Sequence, residues 1–479
     1  LQVVVNDLLL VSQTDTSQWI PYTLPWDAAP IDLSFLNHKP AGKYGWVVAE
    51  GDKFILSETG EEIRFWGINL SAGANFPTKE QARIIAKRLA QFGVNLVRIH
   101  HADAQWAERH LFSPQANHTR SFDRDSLDRL DYFIYCLKNE GIYIYLDQLV
   151  HRHFKVGDEV DAVDQLEPAA KPYSNFDERL IELQKEFSRN LWTHVNPYTG
   201  LAYKDDPAIV LMEFTNENDL FTDGLPITLE PYRTRLEQRY RLWAAENNVY
   251  LPSTPVDFTR KTDPLITFLE EVQRSYYQEM ADYLRNEVGV RALMTGSNWP
   301  RTAALLASMR DLDFTDCHGY WNHATSDGSV ENTPMLKAEK TVFDIINFQR
   351  VAGKPFFVSE WGEPWPNEWR AELTLWIAAI ASFQEWNGLA MYTYRHSSEV
   401  PKNSSLSTFD SFNDPARFGL FPAAALLYRR GDLEAAQQKA ALYIPEELAI
   451  SASSPSAWSM PQTVGIVETH RLETALFQR

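Results

Sequence analysis

Short, nearly continuous apolar runs alternate with stretches of helical period over most of the chain. The runs are Phe65–Leu70, Asn95–His100, Ile142–Leu149, Ile209–Asn216, Ala292–Ser297, Phe314–Tyr320, Pro355–Glu360 and Gly388–Arg395. Such continuity is what a parallel sheet buried on both faces requires. Between the runs, apolar residues recur at helical spacing: Ile85, Leu89 and Phe92; Leu127, Leu130, Ile134 and Leu137; Leu180, Leu183, Phe187 and Leu191; Leu373, Trp376, Ile377 and Ile380. Thr78-Lys-Glu-Gln81 reads as a capping box opening the first of these helices, and Gly93 stops it. Strict β-then-α alternation with eight strands predicts an α/β fold, a (β/α)8 TIM barrel. A doubly wound sheet is the competitor, but no glycine-rich phosphate turn follows the first strand.

The flanks read differently. Residues 1–60 are expected to form an N-terminal β-rich cap, in which Gly51-Asp52 separates Gly45–Ala49 from Lys53–Leu56 as a hairpin turn would. Residues 61–432 are assigned to the barrel, with an insertion at about 220–262 that includes a charged helical piece at Leu229–Glu246. A last short helix is placed after Leu426. Residues 433–479, Ser/Pro-rich at Ser451–Pro461, read as a short C-terminal tail or the start of an accessory β domain.

Composition narrows the class. The 479 residues carry 45 Lys+Arg against 64 Asp+Glu, a net charge of −19 with no basic block, which argues against nucleic acid or an anionic membrane as partner. No run of about 18 apolar residues occurs, so no transmembrane helix is expected. Cys136 and Cys317 are too few for a disulfide scaffold, and their oxidation state is open. The chain opens at Leu1 without methionine or leader; processing is expected, and with it a secreted or periplasmic location. Oligomeric state is not legible.

In a barrel, chemistry gathers at the C-terminal ends of the strands. Those ends hold Arg98, His100 and His101; Asp147; Asn216 and Glu217; His318, Tyr320 and Trp321; Glu360 and Trp361; Tyr392 and Tyr394. Glu217 and Glu360 close the fourth and seventh strands, nearly opposite each other around an eight-strand ring. Two carboxyls facing across a cleft are what glycoside cleavage needs, one as acid and one as base or nucleophile. One of them must then be kept protonated by burial or by a neighbouring charge.

At these residues the chain resembles clan A glycoside hydrolases, closest to family 5, the cellulase and mannanase family. Asn216-Glu217 on strand four, Glu360 on strand seven, Arg98 on strand two and His318-Gly-Tyr320 on strand six carry the likeness, over roughly residues 61–430. It implies Glu217 as acid/base, Glu360 as nucleophile, Asn216 at the sugar 2-hydroxyl, and Arg98 and Tyr320 against the nucleophile. The resemblance implies a retaining glycosidase that cleaves β-bonds of a neutral oligo- or polysaccharide, of the β-glucan or β-mannan class, through a covalent glycosyl-enzyme. No cofactor or metal is implied. His101, Trp321, Trp361, Tyr394 and Trp299 are added as sugar-contacting groups. Leu149 stands where the family has a histidine, with His151 displaced, and Tyr392 or Tyr394 replaces the strand-eight Trp. Wording around Asp32–Leu36 and Phe65–Asn69 also resembles large bacterial cellulase-like proteins. A non-catalytic carbohydrate-binding barrel and a metal-dependent hydrolase using the His clusters are the alternatives. The acidic stretch Asp158–Asp164 reads as a solvated loop, with Ca²⁺ binding as the sharper option.

Overall fold

The structure is a computed structural model and describes residues 17–18, 22–299, 302–399 and 405–477. An antiparallel hairpin comes first. Strands β1 (Val47–Glu50) and β2 (Lys53–Leu56) pair with Val47 opposite Leu56 and Glu50 opposite Lys53. Gly51 turns between them at φ +60°, a conformation that costs glycine nothing. The eight predicted barrel strands all form: β3 (Phe65–Ser71), β4 (Leu96–His100), β5 (Tyr143–Asp147), β6 (Ile209–Glu213), β7 (Leu293–Thr295), β8 (Thr315–Tyr320), β9 (Phe356–Gly362) and β10 (Gly388–Met391). They join in the order β7-β6-β5-β4-β3-β10-β9-β8, every neighbouring pair parallel. At the β7/β8 seam Asp313 N donates to Met294 O at 3.0 Å and His318 N to Asn298 O at 2.8 Å, so the sheet forms a nearly closed (β/α)8 barrel.

Two apolar cores hold it. Inside the barrel, Phe65, Leu96, Tyr145, Leu211, Phe314 and Phe357 pack together and against Phe54 and Leu56 of the hairpin. The hairpin thus plugs the end where the strands begin and leaves the other end to polar groups. Gly388 is needed here, because a Cβ at that position would meet the Phe357 ring at 2.2 Å. Outside the barrel, a second core joins the strands' outer faces to the helices. The first of these, Lys79–Gln91, opens on the predicted capping box with both arms made: Gln81 N donates to Thr78 Oγ1 and Thr78 N to Gln81 Oε1. The insertion contains a helix at Tyr232–Glu246, whose Tyr240 ring lies 4.9 Å from Phe268 of the long helix Asp263–Asp282.

Beyond the barrel, the last core helix spans Phe421–Arg429. Leu426 lies inside this helix instead of before it, because Pro422, already fixed in φ, belongs to its first turn. Residues 433–477 then fold back on the barrel. β11 (Lys439–Ile444) and β12 (Arg471–Leu476) pair parallel, and Thr474 N donates to Arg350 O at 2.8 Å. The acidic stretch is not a solvated loop throughout: Asp158 is fully buried and accepts from Thr119 N and Thr119 Oγ1, both at 2.8 Å. Cys136 and Cys317 are free and buried. No described helix is long and apolar enough to cross a membrane.

Candidate active site

Arg98 organises the polar end of the barrel. Its guanidinium is fully buried and spends its donors on four strands: Nε on Asp147 Oδ1 (3.0 Å), Nη1 on Glu360 Oε1 (2.8 Å) and Asn69 Oδ1 (3.1 Å), and Nη2 on Glu213 Oε1 (2.7 Å) and Asn216 Oδ1 (3.0 Å). Burial opposes its charge, but the three carboxylates outweigh burial and hold it firmly protonated. Glu360 receives a second donor, the Tyr320 hydroxyl, on Oε2. His100 Nε2 lies 3.2 Å from Glu360 Oε1, while its Nδ1 meets Asp147 Oδ2 at 2.5 Å.

A register shift between β8 and β9 places the last partner. Cys317 lies opposite Val358, but His318 lies opposite Glu360, so one extra residue on β9 turns both side chains into the mouth. His318 Nδ1 sits 2.8 Å from Glu217 Oε1, and its Nε2 lies 3.1 Å from Ser359 Oγ and 3.6 Å from Glu360 Oε1. One oxygen of Glu217, one of Glu360 and a ring nitrogen of His318 all fall within 4.8 Å of one another. Glu217 itself is left-handed at φ +46°, a conformation unusual for a side chain of its size, with its N–H on Asn298 Oδ1 at 2.9 Å. Asn298 also donates to Glu213 and, at 3.0 Å, to Asn216 Oδ1, which ties β7 to β6 beneath the turn.

The charges are unequally matched. Burial would raise Glu217, but the hydrogen bond and charge of His318, with Lys171 behind, bring it down to about 2. Its side chain is 38 % exposed to the cleft, so water screens part of both effects. Burial would lower His318, and the charge of Glu360 with the Glu217 contact raises it instead. In the open site the proton of this pair therefore rests on the imidazole, contrary to the expectation of an uncharged acid at rest. Glu213 differs: burial lifts it from an ordinary 4.5 to about 7 in spite of Arg98.

Folding thus takes up a proton at Glu213 between those values. The stability this group contributes is complete below about 4.5 and is lost as pH rises through about 7. In urea unfolding, Glu213→Gln should gain on wild type by on the order of 3 kcal/mol between those pH values. A difference independent of pH would refute the assignment.

Of the groups read from sequence, Arg98, Asn216, Glu217, His318, Tyr320 and Glu360 converge. His101 lies just behind them, its Nδ1 on Ser71 Oγ at 3.1 Å and its ring 4.0 Å from that of His100. Trp321 donates through Nε1 to Thr333 O at 2.9 Å and belongs to the loop after β8. Two expectations are corrected. Trp361 is 0 % exposed and packs against Trp66 and Phe421, because side chains alternate along β9 and Glu360 already faces inward. Tyr394 is 1 % exposed and accepts from Arg88 Nη1 at 2.8 Å in the helix layer, since β10 ends at Met391 and the chain turns outward. Tyr392 takes the place at the mouth instead: its ring lies 5.7 Å from His100 and 6.3 Å from Tyr320, and its hydroxyl is 2.8 Å from His396 Nε2. Sequence reading missed Glu213, Asn298 and Asn69. For Glu213 and Asn69 the signal was polarity inside an otherwise apolar run; Asn298 follows the end of one.

The donor set of Glu217, His318 and Glu360, and that of His100, Asp147 and Glu213, have the composition of metal ligands. In the second set, Arg98 already bonds Asp147 and Glu213.

A search of curated proteins gives no match. Among solved structures, the chain is similar to a GH5_18 variant from Streptomyces cattleya in complex with Manβ1-4GlcNAc, at 14 % identity and TM-score 0.55, covering 86 % of this chain and 94 % of that one. It is similar to a GH5_18 protein from Bifidobacterium longum subsp. infantis at 12 % and 0.52, covering 86 % and 92 %. A glycoside hydrolase family 5 mannosidase from Rhizomucor miehei follows at 13 % and 0.50, covering 81 % and 99 %. At such identity these likenesses speak for the fold. Residues 56–385 match the family model Cellulase (glycosyl hydrolase family 5). Strands β3 to β9 and Arg98, Asn216, Glu217, His318, Tyr320 and Glu360 lie inside that match, and the chain belongs to glycosyl hydrolase family 5.

Proposed function

We propose that this glycosidase retains configuration and acts on a neutral β-linked oligo- or polysaccharide of the β-glucan or β-mannan class. The observation that carries the reading is the opposition of Glu217 and Glu360 with carboxylate oxygens within 4.8 Å. Retention goes with carboxyl groups about 5–5.5 Å apart, whereas inversion needs roughly 6.5–9.5 Å to admit a water.

Arg98 and Tyr320 hold Glu360 in place, each donating to one of its oxygens. Its carboxylate attacks the anomeric carbon and forms the glycosyl ester as the bond to the leaving oxygen breaks. Glu217 delivers the proton to that oxygen, having taken it from His318 as the substrate displaces water from the cleft. In the second step Glu217 takes a proton from water, whose oxygen displaces Glu360 from the sugar.

Proton NMR of the first-formed sugar tests the stereochemistry: β product supports the reading and α product overturns it. Glu217→Gln should slow cleavage of sugar leaving groups by about 10²–10⁴-fold. It should spare the first step with a dinitrophenyl glycoside, whose leaving group needs no proton. Equal loss on both substrates would remove Glu217 from the acid role.

A further inference from the structure

We propose that the C-terminal segment completes the active site, with Trp458 and Trp299 forming a binding site for the leaving-group sugar. This rests on the acid role of Glu217, because the carboxyl that protonates the leaving oxygen marks the side on which that sugar lies.

A cavity of about 350 Å³ opens beside Glu217, lined also by His318, Tyr320, Trp299 and Trp458. The two indoles also line the adjoining cavity of about 490 Å³, whose other walls include Phe221, Asp223 and Thr302. They therefore stand where the two cavities meet; Glu217 lines the first of these, and Glu360 lines neither.

Trp458 is held in place without being covered. Its neighbour Ala457 is buried, Ser456 bridges to Thr302, Ala303 N donates to Pro455 O at 2.8 Å, and Lys340 Nζ donates to Trp458 O at 3.1 Å. Trp458 remains 57 % exposed. An anchored backbone presenting a bare aromatic face in a concave wall suits the C–H face of a pyranose ring. Among the described residues that line the outer cavity, Asp223 is the one charged group, an acceptor for sugar hydroxyls. Residue 458 lies outside the family match at 56–385, whereas Trp299 lies inside it.

The test compares the full-length chain with Trp458→Ala and Trp458→Phe. Binding of cellotriose and β-1,4-mannotriose by titration calorimetry reads the site without requiring turnover. Hydrolysis of the better-bound trisaccharide and of the matching glycosyl fluoride, which has no leaving-group sugar, reads its side. Trp458→Ala should weaken trisaccharide binding and raise its KM about tenfold, the worth of one aromatic contact. The fluoride should change less than about twofold, and Trp458→Phe should recover most of the loss. Unchanged binding, absence of trisaccharide binding by wild type, or equal loss on fluoride and trisaccharide overturns the proposal. Loss of binding in a chain that hydrolyses nothing would uphold the sugar site and overturn the hydrolytic reading instead.

Discussion

Glu360→Gln should lower glycoside turnover by about 10⁴-fold or more, the loss expected when a nucleophile is replaced by an inert isostere. The carboxylate accepts from Arg98 Nη1 on one oxygen and from Tyr320 on the other, and both donors are aimed at negative charge. An amide is no nucleophile, and its NH₂ faces one of these donors. The fold should persist, because three buried carboxylates share the single Arg98 cation and removing one charge relieves their repulsion. Thermal unfolding should therefore show a midpoint equal to or above that of wild type. Glu360→Ala opens room for azide, and added azide should restore turnover and yield the α-glycosyl azide. If Glu360→Gln keeps more than about a tenth of wild-type turnover, the nucleophile lies elsewhere.

Arg98→Met should give the largest loss of stability, about 3–5 kcal/mol, the range for stripping one partner from a buried ion pair. Methionine fills the volume but leaves Asp147, Glu213 and Glu360 without their common counter-charge and Asn69 and Asn216 without a donor. The loss should be greatest above pH 7 and smaller near pH 5, where the stranded carboxyls take up protons. Urea unfolding at both pH values measures it. Arg98→Lys keeps the charge but cannot span four strands, and should fall between the two. Stability of Arg98→Met equal to wild type at pH 7 would mean that the network contributes nothing to holding the strand ends together.

The corrections share a cause. Trp361 and Tyr394 were placed at the cleft because they follow strand ends, yet which way a side chain faces there depends on parity and on where the strand stops. The β8/β9 register shift moves His318 opposite Glu360, and no local pattern in Thr315–Tyr320 announces it. Glu213 looked like one polar interruption in an apolar run, although its partner Arg98 lies 115 residues away. Trp458 is remote from the mouth in sequence and reaches it only because β11 and β12 dock the last segment on the barrel.

By itself the sequence determined what local physics can determine. Alternating apolar runs and helical periods specify eight strands and their helices, Gly51-Asp52 specifies a hairpin, and Thr78 with Gln81 caps a helix. Two glutamates at the ends of the fourth and seventh strands follow from the same alternation, since strand order in a barrel sets their opposition. Only the tertiary structure decided how those groups are charged and held. The distance from Glu217 to His318 sets its proton and the distance from Glu360 to Arg98 sets its hydrogen bonding, and those distances join residues from four strands and depend on closure of the ring. The position of the final segment was likewise decided in three dimensions, because its few apolar side chains, such as Leu472 and Ala475, find burial only against a barrel already formed.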